Sequence, residues 1–251
     1  MEKVNIENRK GQKIAVLIEK NENPKGLAFV MHGLSGNKEQ PHIAAFAQAF
    51  KNKGFTVVRF DTTNTYGESD GKYEDATVSN YFEDLEDVIA WTKTQNWYQA
   101  PFWLAGHSLG GISIILYAEK NPGEVKALAP ISTVVSGKLS ADARGPEEMK
   151  QWQEKGYEEE ESTSIPGLIK RTPWSHMEDR LKYDVLTDVE KLTMPVLLIV
   201  GDKDDSTPPI HQQILFEKLP VQKEIHIIKG APHTFRTPEE LQEIQDIMEK
   251  W

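Results

Sequence analysis

Hydrophobic residues along the chain follow two alternating patterns. The first is a short, almost continuous apolar run, as in residues 195–200, which is typical of a strand buried on both faces. The second is a longer segment with apolar residues three and four positions apart, as at Ile43, Phe46 and Phe50, which predicts an amphipathic helix. The first pattern predicts strands at residues 13–19, 26–31, 55–60, 101–105, 125–131, 195–200 and 224–228. The second predicts helices at about residues 40–53, 79–94, 111–120, 209–219 and 238–250.

The alternation of strands and helices predicts the fold class. Apolar inner strands that alternate with amphipathic helices are typical of an α/β fold, in which helices cover both faces of a mainly parallel sheet. Ligands of such sheets bind beyond the carboxyl ends of the strands. Candidate functional residues are therefore expected in the loops that directly follow the predicted strands.

One segment interrupts this alternation. Residues 136–182 are too long for a simple connection, and they carry the acidic run Glu158 to Glu161 beside clustered aromatic and aliphatic residues. The acidic run is typical of a solvated face, whereas the apolar cluster argues against disorder. We therefore expect one α/β core formed by residues 1–135 and 183–251, with residues 136–182 inserted as a small cap, or lid, over the site.

Composition and charge narrow the classes of function. The 251-residue chain is 38% hydrophobic and 27% charged, as in ordinary globular proteins, and it contains no cysteine. Disulfides, thiolate metal sites and a cysteine nucleophile are therefore excluded. The formal net charge of −10 argues against nucleic acid and anionic membrane surfaces as partners. It also argues mildly against a strongly anionic substrate, unless a local basic patch overrides it.

Localisation and cofactors are predicted from missing signals. The sequence has no run of roughly 18 apolar residues for a membrane helix, and Met1 to Glu7 lack a signal peptide's apolar run. We expect a cytoplasmic protein with a small-molecule substrate, and a homodimer remains open. No phosphate-binding or dinucleotide-binding glycine motif is present, so no cofactor is expected. No metal site is expected either, because metal-ligand spacing is lacking among His42, His176, His211 and His226.

The stretch Gly106-His107-Ser108-Leu109-Gly110 carries the strongest chemical signal. It fits the pattern G-x-S-x-G and lies between a predicted strand and a predicted helix. A sharp strand-to-helix turn strains the backbone of the serine, and it needs nearly side-chain-free neighbours two positions away, at Gly106 and Gly110. Ser108 is thereby predicted to be a nucleophile at the N-terminus of a helix, where developing negative charge is favoured.

A serine nucleophile needs a base, and the base needs an orienting acid. His233 follows the last predicted strand and directly precedes the final helix, so we expect it to be the base. The loop after residues 195–200 contains Asp202, Asp204 and Asp205. We predict that Asp204 is the acid, with the other two as loop-capping or solvated alternatives.

A negatively charged intermediate needs two preorganised N–H donors, which form an oxyanion hole. The backbone amide of Leu109, directly after the nucleophile, is the first candidate. The second is expected in the loop His32-Gly33-Leu34-Ser35-Gly36, which follows the strand at residues 26–31. The Leu34 amide is our choice in that loop, and His32 is expected to brace it.

Taken together, these motifs resemble the α/β-hydrolase superfamily across nearly the whole chain, including the order serine, aspartate, histidine. The resemblance implies a mainly parallel sheet of about eight strands, flanked by helices and carrying a small cap. Arg59-Phe60-Asp61 followed by Gly67-Glu68-Ser69-Asp70-Gly71 looks like the bacterial feruloyl/cinnamoyl esterase and carboxylesterase group. Members of that group carry an insertion of similar size that binds the aromatic acyl group. The segment Thr62 to Tyr66 departs from the turn typical of that group.

The predicted function is that of a serine hydrolase that cleaves carboxylic esters of small to medium or aromatic acyl groups through an acyl-enzyme. A thioesterase, a peptidase or a monoacylglycerol lipase could use the same triad, and a non-catalytic binding module on this scaffold is a less favoured alternative. Apolar contacts to the substrate are expected from Trp152, Trp174 and Met177 of the cap, although packing within a core would use the same residue types.

Overall fold

A large central sheet follows the predicted alternation. The computed structural model describes residues 1–162, 165 and 167–251. The strands of the large sheet are β1 (Glu2–Glu7), β2 (Lys13–Glu19), β3 (Leu27–Met31), β4 (Thr56–Phe60), β5 (Phe102–His107), β6 (Val125–Ile131), β9 (Val196–Gly201) and β10 (Lys223–Ile228). A separate antiparallel hairpin consists of β7 (Tyr157–Glu161) and β8 (Ile169–Pro173).

Helices connect most of these strands. The α-helices are α1 (Pro41–Asn52), α2 (Val78–Thr92), α3 (Leu109–Lys120), α4 (Gly137–Arg144), α5 (Pro146–Lys155), α6 (Trp174–Arg180), α7 (Pro209–Lys218) and α8 (Pro238–Lys250). Short 3-10 turns occur at Tyr73–Asp75, Pro122–Glu124 and Val189–Lys191. Among the described residues, no helix combines the length and the hydropathy needed to cross a bilayer.

The strand order creates a crevice at the centre of the sheet. The order is β1-β2-β4-β3-β5-β6-β9-β10, with antiparallel pairing of β2 to both neighbours and parallel pairing from β4 onwards. The chain passes from β3 to β4 on one side and then returns to place β5 on the other side of β3. Because the winding direction reverses there, the loops after β3 and β5 diverge and leave room for a ligand.

Alternate residues of the inner strands pack against different helical layers. On β3, Phe29 and Met31 join the apolar cluster of α2, α3 and α7, whereas Ala28 and Val30 join that of α1 and α8. This burial on both faces explains why the inner strands are nearly continuous apolar runs. The predicted fold class, a helix-flanked and mainly parallel sheet, is confirmed.

The predicted elements lie within two residues of the observed ones, but β1 was missed. Its sequence is Glu-Lys-Val-Asn-Ile-Glu, and only Ile6 is buried. β1 is the edge strand and pairs on one side only, so most of its side chains face solvent. A short edge strand of this kind lacks the apolar run by which the other strands were found.

Residues 136–182, which we predicted to form a cap, contain structure of their own. They comprise α4, α5, the hairpin β7–β8 and α6, and the acidic run Glu158 to Glu161 lies within β7. β7 pairs only with β8, so these glutamates lie on a narrow two-stranded ribbon rather than on the large sheet. We keep the name cap for residues 136–182, of which 163, 164 and 166 lie outside the described part.

Candidate active site

Ser108 lies at the sharp turn between β5 and α3. Its backbone has φ +54° and ψ −113°, a strained conformation for a residue with a side chain. A Cβ atom on Gly106 would lie 2.4 Å from the Gly110 carbonyl oxygen, and one on Gly110 would lie 2.5 Å from the His32 carbonyl oxygen. Only glycine fits at these two positions, so the backbone can turn tightly enough to hold Ser108 at the start of α3.

The structure brings Ser108, His233 and Asp204 into one hydrogen-bonded relay. His233 Nε2 lies 3.0 Å from Ser108 Oγ, and His233 Nδ1 lies 2.9 Å from Asp204 Oδ2. The three residues follow β5, β10 and β9, so they meet at the carboxyl edge of the sheet. In this geometry the imidazole can accept the serine proton while the carboxylate holds Nδ1–H and orients the ring.

Asp204 is held as an acceptor by its own loop. It is 4% exposed, and the backbone N–H groups of Ser206 and Thr207 donate to its Oδ1 at 3.0 and 2.8 Å. Burial alone would raise the pKa of Asp204, but the hydrogen bond and attraction of His233, with the Thr207 N–H, hold this pKa below its ordinary value. The carboxylate therefore stays ionised at neutral pH.

The two alternative acids in this loop lie elsewhere. Asp202 accepts a hydrogen bond from the Gly230 backbone N–H at 2.6 Å, which ties the loop after β9 to the turn before His233. Asp205 is exposed and accepts from the Ser206 hydroxyl at 3.3 Å. Neither of these contacts involves the imidazole of His233.

Leu34 and Leu109, the predicted oxyanion donors, flank Ser108. Leu109 is the first residue of α3, where a backbone N–H has no acceptor one turn earlier in the helix. A Cβ atom on Gly33 would lie 2.9 Å from Ser108 Cβ, so the loop after β3 lies directly against the serine. Leu34 lines the same cavity as Ser108.

His32 and Tyr81 fix the peptide that carries the Leu34 N–H. The Gly33 carbonyl oxygen accepts from His32 Nδ1 at 2.8 Å and from the Tyr81 hydroxyl at 3.0 Å. His32 Nε2 in turn accepts from the Thr62 backbone N–H at 3.0 Å, and burial lowers the pKa of His32, which keeps the ring neutral. Because the peptide unit is planar, fixing the Gly33 C=O also fixes the direction of the Leu34 N–H.

His107 forms a hydrogen bond with the backbone of His233. Its Nε2 donates to the His233 carbonyl oxygen at 2.8 Å, and burial lowers the pKa of His107 to about 3. This neutral ring thus anchors the loop that carries His233. Burial also lowers the pKa of His42, whose ring centroid lies 4.6 Å from that of His107.

Ser108 opens into a cavity of about 790 Å³ between the sheet edge and the cap. The cap side includes the basic residues Arg144, Lys170 and Arg180, the acidic residues Glu148, Glu158, Glu159 and Glu160, and Trp152, Thr172 and His176. A larger groove of about 1020 Å³ includes Lys126, Pro195 and Gln222, which lie at the amino ends of β6, β9 and β10. Because parallel sheets bind ligands at their carboxyl ends, the cavity at Ser108 is the candidate site.

The three predicted cap contacts differ in position. Trp152 lines the cavity, and its Nε1 donates to the Thr172 carbonyl oxygen at 3.0 Å. Trp174 packs edge-to-face on Trp152 with ring centroids 5.7 Å apart, and Met177 is fully buried. Neither Trp174 nor Met177 is among the described residues that line the cavity.

His176 and Arg180 of α6 were missed as cavity residues. No sequence motif marks them, because they belong to a seven-residue helix whose apolar pattern is too short to assign a face. Side-chain contacts fasten this helix to the core. Asp179 accepts from the Ser79 backbone N–H and hydroxyl at 2.9 and 2.6 Å, and His176 Nδ1 donates to the Ala76 carbonyl oxygen at 2.8 Å.

The described residues contain no group of three or more His, Asp or Glu side chains arranged to hold a metal ion. Asp61, which follows β4, is paired instead with the buried Lys38, whose Nζ donates to its Oδ2 at 2.8 Å. Backbone N–H groups of Lys38 and Glu68 also donate to Asp61, so it ties together two loops at the sheet edge.

Comparison with known proteins identifies relatives that match most of this chain. The chain is 26% identical over 232 residues to palmitoyl-protein thioesterase ABHD10, mitochondrial, of Bos taurus, covering 90% of this chain and 73% of that protein. It is 24% identical over 218 residues to the thermostable monoacylglycerol lipase of Bacillus sp. (strain H-257), covering 84% and 83%. Est1E of Butyrivibrio proteoclasticus, solved with ferulic acid, shares the fold with a TM-score of 0.80 at 23% identity, covering 98% and 96%.

A family model described as serine aminopeptidase, S33, matches residues 22–182. The matched part includes the loop after β3, the turn at Ser108 and the cap, whereas Asp204 and His233 lie beyond it. The match covers more than half of the 251 residues. This protein therefore belongs to the serine aminopeptidase S33 family and is a serine hydrolase of the α/β-hydrolase superfamily.

Proposed function

We propose that this protein hydrolyses carboxylic esters through an acyl-enzyme on Ser108. The observation that carries the proposal is the unbroken relay from Asp204 through His233 to Ser108 Oγ, with distances of 2.9 and 3.0 Å, at the floor of a cavity. Such a relay serves to turn a hydroxyl group into a nucleophile at neutral pH.

The reaction follows from the positions of the donors and acceptors. Ser108 Oγ attacks the ester carbonyl carbon while His233 Nε2 takes the hydroxyl proton, and the Leu34 and Leu109 N–H groups stabilise the resulting oxyanion. Collapse of this intermediate breaks the bond to the alcohol, which leaves with the proton from His233. Water then gives its proton to His233 as it attacks the acyl-enzyme, and the acid is released with Ser108 restored.

Thioester cleavage is a second candidate, because one relative is named as a palmitoyl-protein thioesterase. The same nucleophile and oxyanion donors would act on a thioester. The cap side of the cavity favours small or polar acyl groups over a long alkyl chain, since it carries Arg144, Lys170 and Arg180. A long apolar chain would have to desolvate these cations.

The test is hydrolysis of p-nitrophenyl esters from acetate to laurate, and of methyl ferulate, by the wild type and Ser108→Ala. We expect Ser108→Ala to abolish turnover and labelling by a fluorophosphonate probe. Ser113→Ala is the matched control, because Ser113 lies on the same helix but donates to the Leu109 carbonyl oxygen inside the core. Rates on one ester, its thioester and its amide rank the leaving groups. Ser108→Ala with most of the wild-type activity would refute the mechanism.

A further inference from the structure

Arg180 is a cation in the wall of the cavity that holds Ser108. It is the last residue of α6 and is half-buried. Its backbone is packed tightly against α4, because a Cβ atom on Gly137 would lie 2.2 Å from the Arg180 carbonyl oxygen. The position of the Arg180 backbone is therefore set by the contact between two cap helices.

The other cap cations at the cavity are neutralised by carboxylates. Arg144 forms two hydrogen bonds with Glu158, at 2.6 and 3.1 Å, and Lys170 pairs with Glu160. Arg180 differs from both. No carboxylate among the described residues lies within 4.0 Å of its guanidinium group.

The contact that holds Arg180 is with a neutral group. Arg180 Nη2 donates to His176 Nε2 at 2.7 Å, while His176 Nδ1 donates to the Ala76 carbonyl oxygen at 2.8 Å. Burial lowers the pKa of His176 to about 3, so the ring is an uncharged acceptor at neutral pH. His176 can therefore orient the guanidinium group without cancelling its charge.

The charge of Arg180 is also poorly solvated. Its Nε is buried without a hydrogen-bond acceptor among the described residues. Burial, assisted by the charge of Arg144 and opposed by that of Glu158, lowers the pKa of Arg180 to about 10, which still leaves the group protonated at neutral pH. A half-buried, oriented cation without a counter-ion is costly in the free protein, and an anion in the cavity would relieve that cost.

We propose that Arg180 binds a carboxylate group of the substrate, so that the ester cleaved at Ser108 carries a second, anionic end. This inference rests on the proposed ester hydrolysis and specifies its substrate class. The planar guanidinium fork suits the two oxygens of a carboxylate, and among the described basic residues of the cap that line the cavity, Arg180 is the one without a carboxylate within 4.0 Å. The glutamates that line the same cavity do not oppose this, because Glu148 and Glu158 pair with Arg144, Glu159 pairs with Arg171 and Glu160 pairs with Lys170.

The test compares esters that differ only in this end group. Monomethyl adipate carries the carboxylate on the acyl side, and methyl 6-amino-6-oxohexanoate replaces it with a neutral amide of similar shape. The acetate ester of 6-hydroxyhexanoate and its amide place the same groups on the alcohol side. We expect the wild type to prefer the carboxylate in one of the two placements by about 10- to 100-fold in kcat/KM, the range of a charge-assisted hydrogen-bonded pair.

Arg180→Gln should abolish this preference, mainly through KM, because Arg180 does not touch the reacting atoms. Arg180→Lys should keep part of it, because the charge remains while the fork is lost. The matched control is Lys150→Gln, which removes a 72% exposed cation of the same cap, because neither Lys150 nor its partner Glu154 is among the described residues that line the cavity. That variant should keep the wild-type preference.

The outcomes separate this inference from the proposed function. Ser108-dependent hydrolysis with equal rates on carboxylate and amide esters in both placements would overturn the inference and leave the ester hydrolysis standing. If no ester is hydrolysed, the proposed function fails, and calorimetry with Ser108→Ala decides the role of Arg180. Binding of monomethyl adipate tighter than its amide, lost on adding Arg180→Gln, would support the inference, and equal binding would overturn it.

Discussion

The sheet edge and the cap face each other across one cavity, but they are built from different interactions. At the edge, the loops after β3, β5, β9 and β10 are tied by hydrogen bonds between residues far apart in sequence, such as His107 to the His233 carbonyl oxygen. In the cap, several ion pairs join residues close in sequence, such as Arg144 with Glu148 and Glu158. Under the proposed function, the sheet edge fixes the groups that perform the chemistry, and the locally folded cap supplies the groups that would meet the rest of the substrate.

The largest expected effect concerns the relay at the sheet edge. Asp204→Asn should lower kcat by about 10⁴-fold with little change in fold, because an amide no longer holds His233 in the tautomer that accepts the serine proton. Steady-state hydrolysis of p-nitrophenyl acetate measures it. Asp205→Asn, at the next residue of the same loop but exposed, should retain activity within about threefold. If the two variants exchanged their effects, the orienting acid would be Asp205.

A smaller effect is expected where the backbone itself is the functional group. Leu34→Pro removes the N–H that faces the oxyanion and should lower kcat by about 10²–10³-fold. Leu34→Ala keeps this N–H and should lose far less. Thermal unfolding of both variants controls for damage to the loop. Equal losses in the two variants, with equal stability, would show that the Leu34 side chain matters and its amide does not.

The smallest expected effect concerns the cap, where the buried His176 should make the stability of the protein depend on pH. The pKa of His176 falls from 6.5 to about 3 on burial, so between these values the unfolded chain binds a proton that the folded chain refuses. The free energy of unfolding should therefore fall as the pH is lowered from 7.5 to 5.5, by about 1 kcal/mol for this one group. Urea denaturation at both pH values measures the difference.

His176→Gln should reduce that pH dependence, because glutamine does not titrate. His226→Gln is the control, since His226 is a half-buried histidine on β10 whose side chain is 39% exposed. A pH dependence unchanged in His176→Gln would mean that the cap opens and solvates this ring before the core unfolds.

The sheet and the relay could be predicted because their signals are local. Buried parallel strands are apolar runs. G-x-S-x-G contains two glycines, Gly106 and Gly110, at which a Cβ atom would lie 2.4 and 2.5 Å from a backbone carbonyl oxygen. Asp204 and His233 could be chosen because a parallel sheet brings the ends of β9 and β10 to the same edge. Their spacing in sequence carried no information of its own.

The cap chemistry could not be predicted, because it depends on which charges pair. The register of β7 with β8 places Glu160 opposite Lys170 and Glu159 opposite Arg171, and it leaves Arg180 on α6 without a carboxylate. A sequence shows an acidic run and scattered basic residues, but it does not show which member remains unpaired. The polar strand β1 was also missed, because it lies at an edge of the sheet and most of its side chains are exposed to solvent rather than apolar and buried.

The fastening of α6 to the core has a consequence for how a ligand would be received. Asp179 is bound to the N-terminal turn of α2 through Ser79, and His176 is bound to the Ala76 carbonyl oxygen. The helix that carries the Arg180 guanidinium group is therefore anchored to the α/β core by hydrogen bonds. A ligand that binds Arg180 would then meet a preorganised helix, so that binding loses little free energy to ordering of the protein.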